Sequence, residues 1–198
     1  MLQRTPPELV LASASSARRA LLEAAGLVFT TAPAAIDEAA IRDAARTEGA
    51  EATEAALRLA ELKAERVARR RPDALVIAAD QILVCDGRWY DKPADLAIAR
   101  AQLAALRGRR HHLATAVLCW GGGMRLWHHI AAPRLTMRAF SPVFLDAYLA
   151  AEGERLLTSV GAYRLEGLAR ISHRVLPTIG GLTLAMRRGR IGCVGVGT

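Results

Sequence analysis

Val76-Ile-Ala-Ala-Asp80-Gln81-Ile-Leu-Val-Cys85-Asp86-Gly87 is an apolar run of strand length with a carboxylate and an amide set inside it. A buried carboxylate is expensive unless it is paired, hydrogen-bonded or bound to a metal. Asp80 therefore asks for partners elsewhere in the chain, and a satisfied structural carboxylate is the plain alternative. Upstream, Glu48 to Arg71 reads as the longest helical segment, with Ala52, Ala55, Leu59, Leu62 and the stem of Arg66 on one face. Lys63 lies beside that stripe, placed either to snorkel from its edge or to aim its ammonium into a cleft. Pro72-Asp73 breaks the helix before the strand, and Asp86-Gly87 turns the chain into a second extended segment through Trp89 and Tyr90.

Outward from this core, Leu9 to Ala12 reads as a short buried strand. The turn Ser13-Ala-Ser15-Ser16 then opens a helix from about Ala17 to Ala25, stopped at Gly26. A hydroxyl-rich helix N-terminus suits an anion, although an ordinary serine cap explains it equally well. After Lys92-Pro93 comes a helix whose stripe is Leu96, Ala99, Leu103 and Leu106. A strand from Leu113 to Trp120 turns at Gly121-Gly122-Gly123 and returns over Met124 to Ala131. Leu135 to Phe140 adds a strand, and Ser141-Pro142 opens a helix with serine as cap and proline at the first position. Early βα alternation followed by a hairpin implies α/β architecture: a mixed twisted sheet with flanking helices and a second lobe, within one domain over 1–198.

The 198 residues are enough for a substantial core, and 52% hydrophobic against 23% charged residues excludes wholesale disorder. No apolar run reaches membrane-spanning length, and no secretory h-region stands near Met1. Cys85, Cys119 and Cys193 are widely separated, as buried free thiols of a reducing compartment are. The net charge of +8 sits largely at helix ends and turns, among them Arg69-Arg70-Arg71 and Arg107 to Arg110. Its residual field favours anions such as nucleotides.

The polar stations are Ser13/Ser15/Arg18, Asp37-Glu38, Lys63, Asp80-Gln81, Asp86/Lys92 and the loop Ser159-Val-Gly161-Ala-Tyr163-Arg-Leu-Glu166-Gly167. Cations and hydroxyls suit phosphate oxygens, and carboxylates suit a divalent metal or a positioned water. No phosphate-binding GxxxxGK[ST] loop, dinucleotide fingerprint, nucleophile elbow or zincin motif is present. Adjacent histidines at 111–112 and 128–129 point to opposite faces of any strand, so neither pair makes a two-ligand zinc face, and one of each pair can face the core.

Taken in order, these stations resemble the Maf family of nucleoside triphosphate pyrophosphatases along almost the whole length. Leu11-Ala-Ser13-Ala-Ser15-Ser-Ala-Arg18-Arg19-Ala-Leu-Leu22 resembles the family opening LASxSPxRRxxLL. Ile36-Asp37-Glu38 and Leu59-Ala-Glu-Leu-Lys63-Ala64 resemble its acidic and lysine motifs. Ala79-Asp80-Gln81 resembles the central ADT or SDQ motif, followed by Gly87 and Lys92-Pro93. Ser159 to Gly167 resembles the late loop, and Thr178-Ile-Gly-Gly181-Leu-Thr-Leu184 a modified TxxGLPL ending.

The resemblance implies a deep nucleotide cleft between two lobes, and cleavage of nucleoside triphosphates, including modified or non-standard ones, to monophosphate and pyrophosphate. It implies Mg²⁺ or Mn²⁺, a cytoplasmic location, no stable nucleic-acid partner and no membrane, with homodimer formation left open. It makes Asp80 the catalytic carboxylate and a metal ligand together with Glu38. Ser13, Arg18, Lys63, Gln81, Lys92 and Glu166 become substrate-binding. Gln81 resembles a branch that includes enzymes acting on 7-methyl-GTP as well as general pyrophosphatases.

This chain departs from the pattern at Ser16, where the family usually has proline, at Ala17 in place of the first arginine of the commonest form, and at Thr183, which replaces a proline. The stretch between Glu166 and Thr178 is shorter than the resemblance implies and lacks its usual acid. Two alternatives follow: a catalytically weakened Maf-like nucleotide-binding protein, and a basic nucleic-acid-binding regulator using Arg109-Arg110-His111-His112 and Trp127-His128-His129.

Overall fold

The Asp80 segment is the spine of the sheet. In the computed structural model, which describes residues 7–163, the elements in chain order are β1 (Leu9–Leu11), α1 (Ser16–Ala24), β2 (Thr30–Thr31), α2 (Glu38–Thr47), α3 (Ala52–Ala68), β3 (Leu75–Cys85), β4 (Arg88–Tyr90), α4 (Leu96–Leu106), β5 (Arg110–Gly121), β6 (Met124–Ala131), β7 (Arg134–Thr136) and α5 (Pro142–Glu152). Two 3-10 turns, Gly153–Thr158 and Val160–Ala162, follow α5. The readings placed on Glu166, the 167–177 stretch, Thr178 to Leu184 and Cys193 lie outside the described residues.

One mixed sheet runs β2-β1-β3-β5-β6, with β4 also on β3 and β7 also on β5. β2, β1 and β3 are parallel, and the remaining pairings are antiparallel. β5 takes one edge of β3 continuously from Val76 to Val84. The other edge is shared: β1 pairs with Leu75 to Ile77, and β4 pairs with Leu83 to Cys85. Between them, residues 78–82 have no strand partner on that edge among the described residues. Asp86 and Gly87 close the β3–β4 hairpin with φ of 50° and 75°, the paired left-handed conformation of a two-residue turn.

The sheet separates two apolar cores. On one face Val76, Ala78, Ile82 and Val84 of β3 meet Ala114, Ala116 and Leu118 of β5 under α3. On the other, Leu83 and Cys85 join Leu103, Leu106, Leu135, Leu145 and Leu156 from α4, β7, α5 and the first 3-10 turn. Alternate residues of β3 thus divide between the cores, as a strand period of two requires.

The helix expected over Glu48 to Arg71 is α3, trimmed to Ala52–Ala68; α2, just before it, was not expected. Asp37 caps α2, accepting from the Ala40 N–H at 3.0 Å. The Glu54 carboxylate accepts from the Glu51 N–H at 3.2 Å and starts α3 afresh. The buried stripe of α3 is Ala52, Ala55, Ala56, Leu59, Ala60, Lys63, Ala64 and Val67; Arg66 is exposed. Alanines at 55, 56, 60 and 64 let the helix backbone approach the sheet closely. The strand expected from Leu135 to Phe140 pairs with β5 only over Arg134–Thr136. The Ser141 cap accepts from the Phe144 N–H at 3.1 Å, with Pro142 at the helix start. No helix among the described residues is long and apolar enough to cross a membrane.

Candidate functional site

Asp80 faces α3, which presents Lys63 to it. Lys63 Nζ lies 2.5 Å from Asp80 Oδ1 and 2.9 Å from Glu38 Oε1. Both members of the shorter pair are buried, with side-chain exposures of 7% and 5%, while Glu38 is half-open at 33%. Across the sheet Asp80 stands opposite Ala116, whose small side chain leaves room on this face. Asp80 Oδ2 is buried and has no hydrogen-bond partner among the described residues. One oxygen of the carboxylate is thus committed to Lys63, and the other is left for a ligand.

The β1 exit brings the cationic wall. Ala12 N–H donates to Ile77 O at 2.8 Å, and the chain then leaves the sheet at Ser13. The buried Ser13 hydroxyl accepts from the Ser15 N–H at 3.2 Å and from an Arg18 guanidinium nitrogen at 3.2 Å. Ser15 caps α1, the cap role expected of the serine cluster, while Ser13 orients Arg18. Burial lowers the pKa of Arg18, and the charges of Asp80 and Glu38 oppose that shift.

The β4 exit brings Lys92 from the other side of the gap. Burial pushes the Glu38 carboxyl up, but Lys63, Lys92 and Arg42 together outweigh it and hold Glu38 below its ordinary pKa. Asp91, just before Lys92, is tied to α2 by Arg42 at 2.6 Å and Arg46 at 3.2 Å. Arg42 also reaches Glu38 at 3.4 Å. Beside this wall runs a groove of about 720 Å³, lined by Arg46, Trp89, Asp91, Lys92, Ile98 and Gln102, with Arg46 stacked over Trp89.

Ser13, Arg18, Glu38, Lys63, Asp80 and Lys92 are therefore gathered around the unpaired stretch of β3. Gln81 is not in that cluster. It follows Asp80 on a regular strand and so faces the opposite side of the sheet, where its Nε2 donates to Thr115 Oγ1 at 2.9 Å. Asp86 is also elsewhere, paired with Arg109 at the hairpin surface at 2.8 Å. Glu166 lies beyond the described residues. Of the histidines, His111 is buried, with Nε2 2.8 Å from the Tyr163 hydroxyl, whereas His128 and His129 are both exposed on β6. Arg42 was not anticipated. Its signal was the acid–base spacing Glu38/Arg42 and Asp43/Arg46 behind a capping Asp37, the pattern of a short helix.

Residues 8–184 match the family model described as Maf-like protein. A nucleoside triphosphate pyrophosphatase of Granulibacter bethesdensis is 59% identical over 160 residues, 81% of each chain. One from Paramagnetospirillum magneticum is 54% identical over 159 residues, 80% of this chain and 82% of that protein. A 7-methyl-GTP pyrophosphatase of Rhizobium meliloti is 47% identical over 161 residues, 81% of each. A solved nucleoside-triphosphatase / dITP/XTP pyrophosphatase from Mycobacterium abscessus is 17% identical over 67% of this chain and 75% of that one, with a TM-score of 0.39, too loose a likeness to argue from. The matched span takes in the sheet, the serine turn and every clustered residue, and this chain belongs to the Maf family.

Proposed function

We propose that this protein is a cytoplasmic nucleoside triphosphate pyrophosphatase that adds water across the α–β phosphoanhydride and releases nucleoside monophosphate and pyrophosphate. The observation that carries the reading is the buried Lys63–Asp80–Glu38 cluster, with Asp80 Oδ2 unpartnered beside an open sheet edge flanked by Arg18 and Lys92. Cations on both sides of the gap neutralise a polyphosphate, and Ser13 holds Arg18 in place for it. Asp80 Oδ2 accepts the proton of the attacking water, while Lys63 fixes the carboxylate through Oδ1. The relatives' names support the same substrate class, one of them being named a 7-methyl-GTP pyrophosphatase.

A divalent cation fits this donor set. Asp80 Oδ2 is a buried oxygen without a partner among the described residues, and Glu38 supplies a second hard donor. No group of three such ligands converges among the described residues, and Asp80 and Glu38 would be the protein donors to the cation. Mg²⁺ or Mn²⁺ held there supplies charge neutralisation and polarisation of the phosphoryl oxygens. Gln81 and Glu166 complete the substrate contacts in this reading.

The test is pyrophosphate release from a panel of standard, methylated and deaminated triphosphates with either metal. Asp80→Asn preserves shape but removes the proton acceptor, and is expected to slow turnover on the order of 10²-fold or more while substrate still binds. A folded Asp80→Asn variant with near-normal turnover would remove Asp80 from the chemistry. Orthophosphate as the sole product would point to a different phosphohydrolase.

A further inference from the structure

Gln81 is locked in one orientation by a residue outside the cluster. Thr115 stands directly opposite it on β5, and the Thr115 hydroxyl donates to the Leu113 carbonyl at 3.2 Å. A hydroxyl carries one proton, so the committed Thr115 Oγ1 can only accept from a further neighbour. Gln81 Nε2 donates to it at 2.9 Å. Reversing the amide would set two oxygens against each other with no proton between them. Thr115 therefore decides which end of the amide turns outward: it is Oε1, for which no donor is present among the described residues.

The surroundings make that oxygen reachable from the cluster. Residues 78–82 have no strand on the edge away from β5 among the described residues, so a ligand bound at Asp80 on one face can reach past β3 toward the other. The same edge carries peptide groups of its own. Ile77 O is directed at β1, and alternation along the strand sends the peptide groups of Ala79 and Gln81 into the gap. In the nucleotide reading, a triphosphate held near Arg18, Lys63 and Lys92 extends its base end past this gap toward Gln81.

We propose that Thr115 is a positioning residue for nucleobase recognition. It fixes the Gln81 amide so that Oε1 accepts a hydrogen bond from a ring N–H or exocyclic amino group of the base. This rests on the nucleotide reading above and deepens it. A site built to accept from an N–H discriminates strongly, because a base that lacks the donor leaves the acceptor unpaired.

Binding separates this proposal from the hydrolytic one. The α,β-methylene triphosphates of guanosine, adenosine, uridine and cytidine, together with inorganic triphosphate, are titrated calorimetrically into the full chain. The variants are Thr115→Val, Thr115→Ser, Gln81→Ala and the double variant Thr115→Val/Gln81→Ala. The expected result is that Thr115→Val compresses the spread of affinities among bases by about tenfold, the scale of one hydrogen bond. Inorganic triphosphate binding is expected to stay unchanged, Thr115→Ser to restore the spread, and Thr115→Val to add nothing once Gln81 is alanine. Equal weakening for every base and for inorganic triphosphate would show Thr115 to be merely structural and overturn the proposal. So would an unchanged spread in Thr115→Val, or a wild-type protein without base preference. Should Thr115→Val fail to fold, Thr115→Ala removes the same hydroxyl and carries the same comparison against Thr115→Ser. Base-dependent binding without pyrophosphate release from the natural triphosphates would overturn the hydrolase reading alone.

Discussion

Lys63 binds two carboxylates from within an otherwise apolar helix face, and its removal tests the site's internal balance. A buried ion pair stabilises little in net terms, because desolvation offsets the Coulomb gain, yet breaking it from one side strands a charge. Lys63→Ala leaves Asp80 buried, with Glu38 as an unscreened neighbour, and the expected loss is about 3–5 kcal/mol. Urea titration of Lys63→Ala and of the double variant Lys63→Ala/Asp80→Asn measures it. The double variant is expected to be more stable than Lys63→Ala, because the stranded charge is gone; simple additivity of the two losses would show that the pair is not their source. Residue identity at this site was legible in the sequence, but Lys63's position was not. Counting Ala56, Ala60 and Ala64 as core residues moves the helical stripe onto Lys63, whereas the stripe Ala52, Ala55, Leu59, Leu62 and Arg66 leaves Lys63 at its edge.

Among elements, the second 3-10 turn depends on one atom being absent. Gly161 has φ of 74°, and a Cβ there would lie 2.5 Å from Leu83 Cδ1 and 3.1 Å from Leu106 Cδ1. Gly161→Ala is expected to cost ~1–3 kcal/mol in left-handed backbone strain, and overpacking against Leu83 adds a similar amount, ~1–3 kcal/mol. A thermal melt reads this as a midpoint lower by several degrees, roughly. An unshifted midpoint would mean that this turn is loosely held. Leu83 lies two residues beyond Gln81 on β3, so the same contact braces the segment that carries the site. The glycine was visible as loop punctuation, but its close contact with β3 was not, because that requires knowing what packs across the sheet. The unpaired edge at 78–82 is of the same kind. Strand identity follows from local pattern, whereas the gap depends on where β1 ends and β4 begins, and β1 and β4 are separated by the whole of α1 to α3. The short α2 was hidden for a different reason: its stability comes from a cap and ion pairs rather than from an apolar stripe, and only Ala45 is fully buried.

For the whole molecule, the buried titratable groups set a pH window for stability. Burial lowers the pKa of His111 from its ordinary 6.5, and burial with Arg134 lowers that of His112. Below 6.5 the unfolded chain takes up protons that the folded chain refuses, so stability falls as pH drops toward the folded values. Glu38 acts in the same direction further down, since its depressed folded pKa makes its contribution present above 4.5 and lost as pH falls through the folded value. On the alkaline side, burial raises both Tyr163 and Cys85. Above their ordinary values of 10.0 and 9.0 the unfolded chain releases protons that the folded chain keeps, and stability declines as pH rises. The expected stability curve is a plateau from about pH 6.5 to 9, set by these ordinary values. His111 and Tyr163 tie its two flanks together, because they share one buried contact of 2.8 Å that fastens the segment after the second 3-10 turn to β5. Tyr163→Phe should flatten part of the alkaline flank, the remainder belonging to Cys85, and it also leaves His111 Nε2 without that partner, at a cost of about 1–3 kcal/mol throughout the plateau. His111→Phe should flatten part of the acid flank, the remainder belonging to His112 and Glu38. Urea midpoints taken at unit steps from pH 4 to 11 separate these outcomes, and acid and alkaline flanks that stay unchanged in both variants would show that this pair does not govern the window.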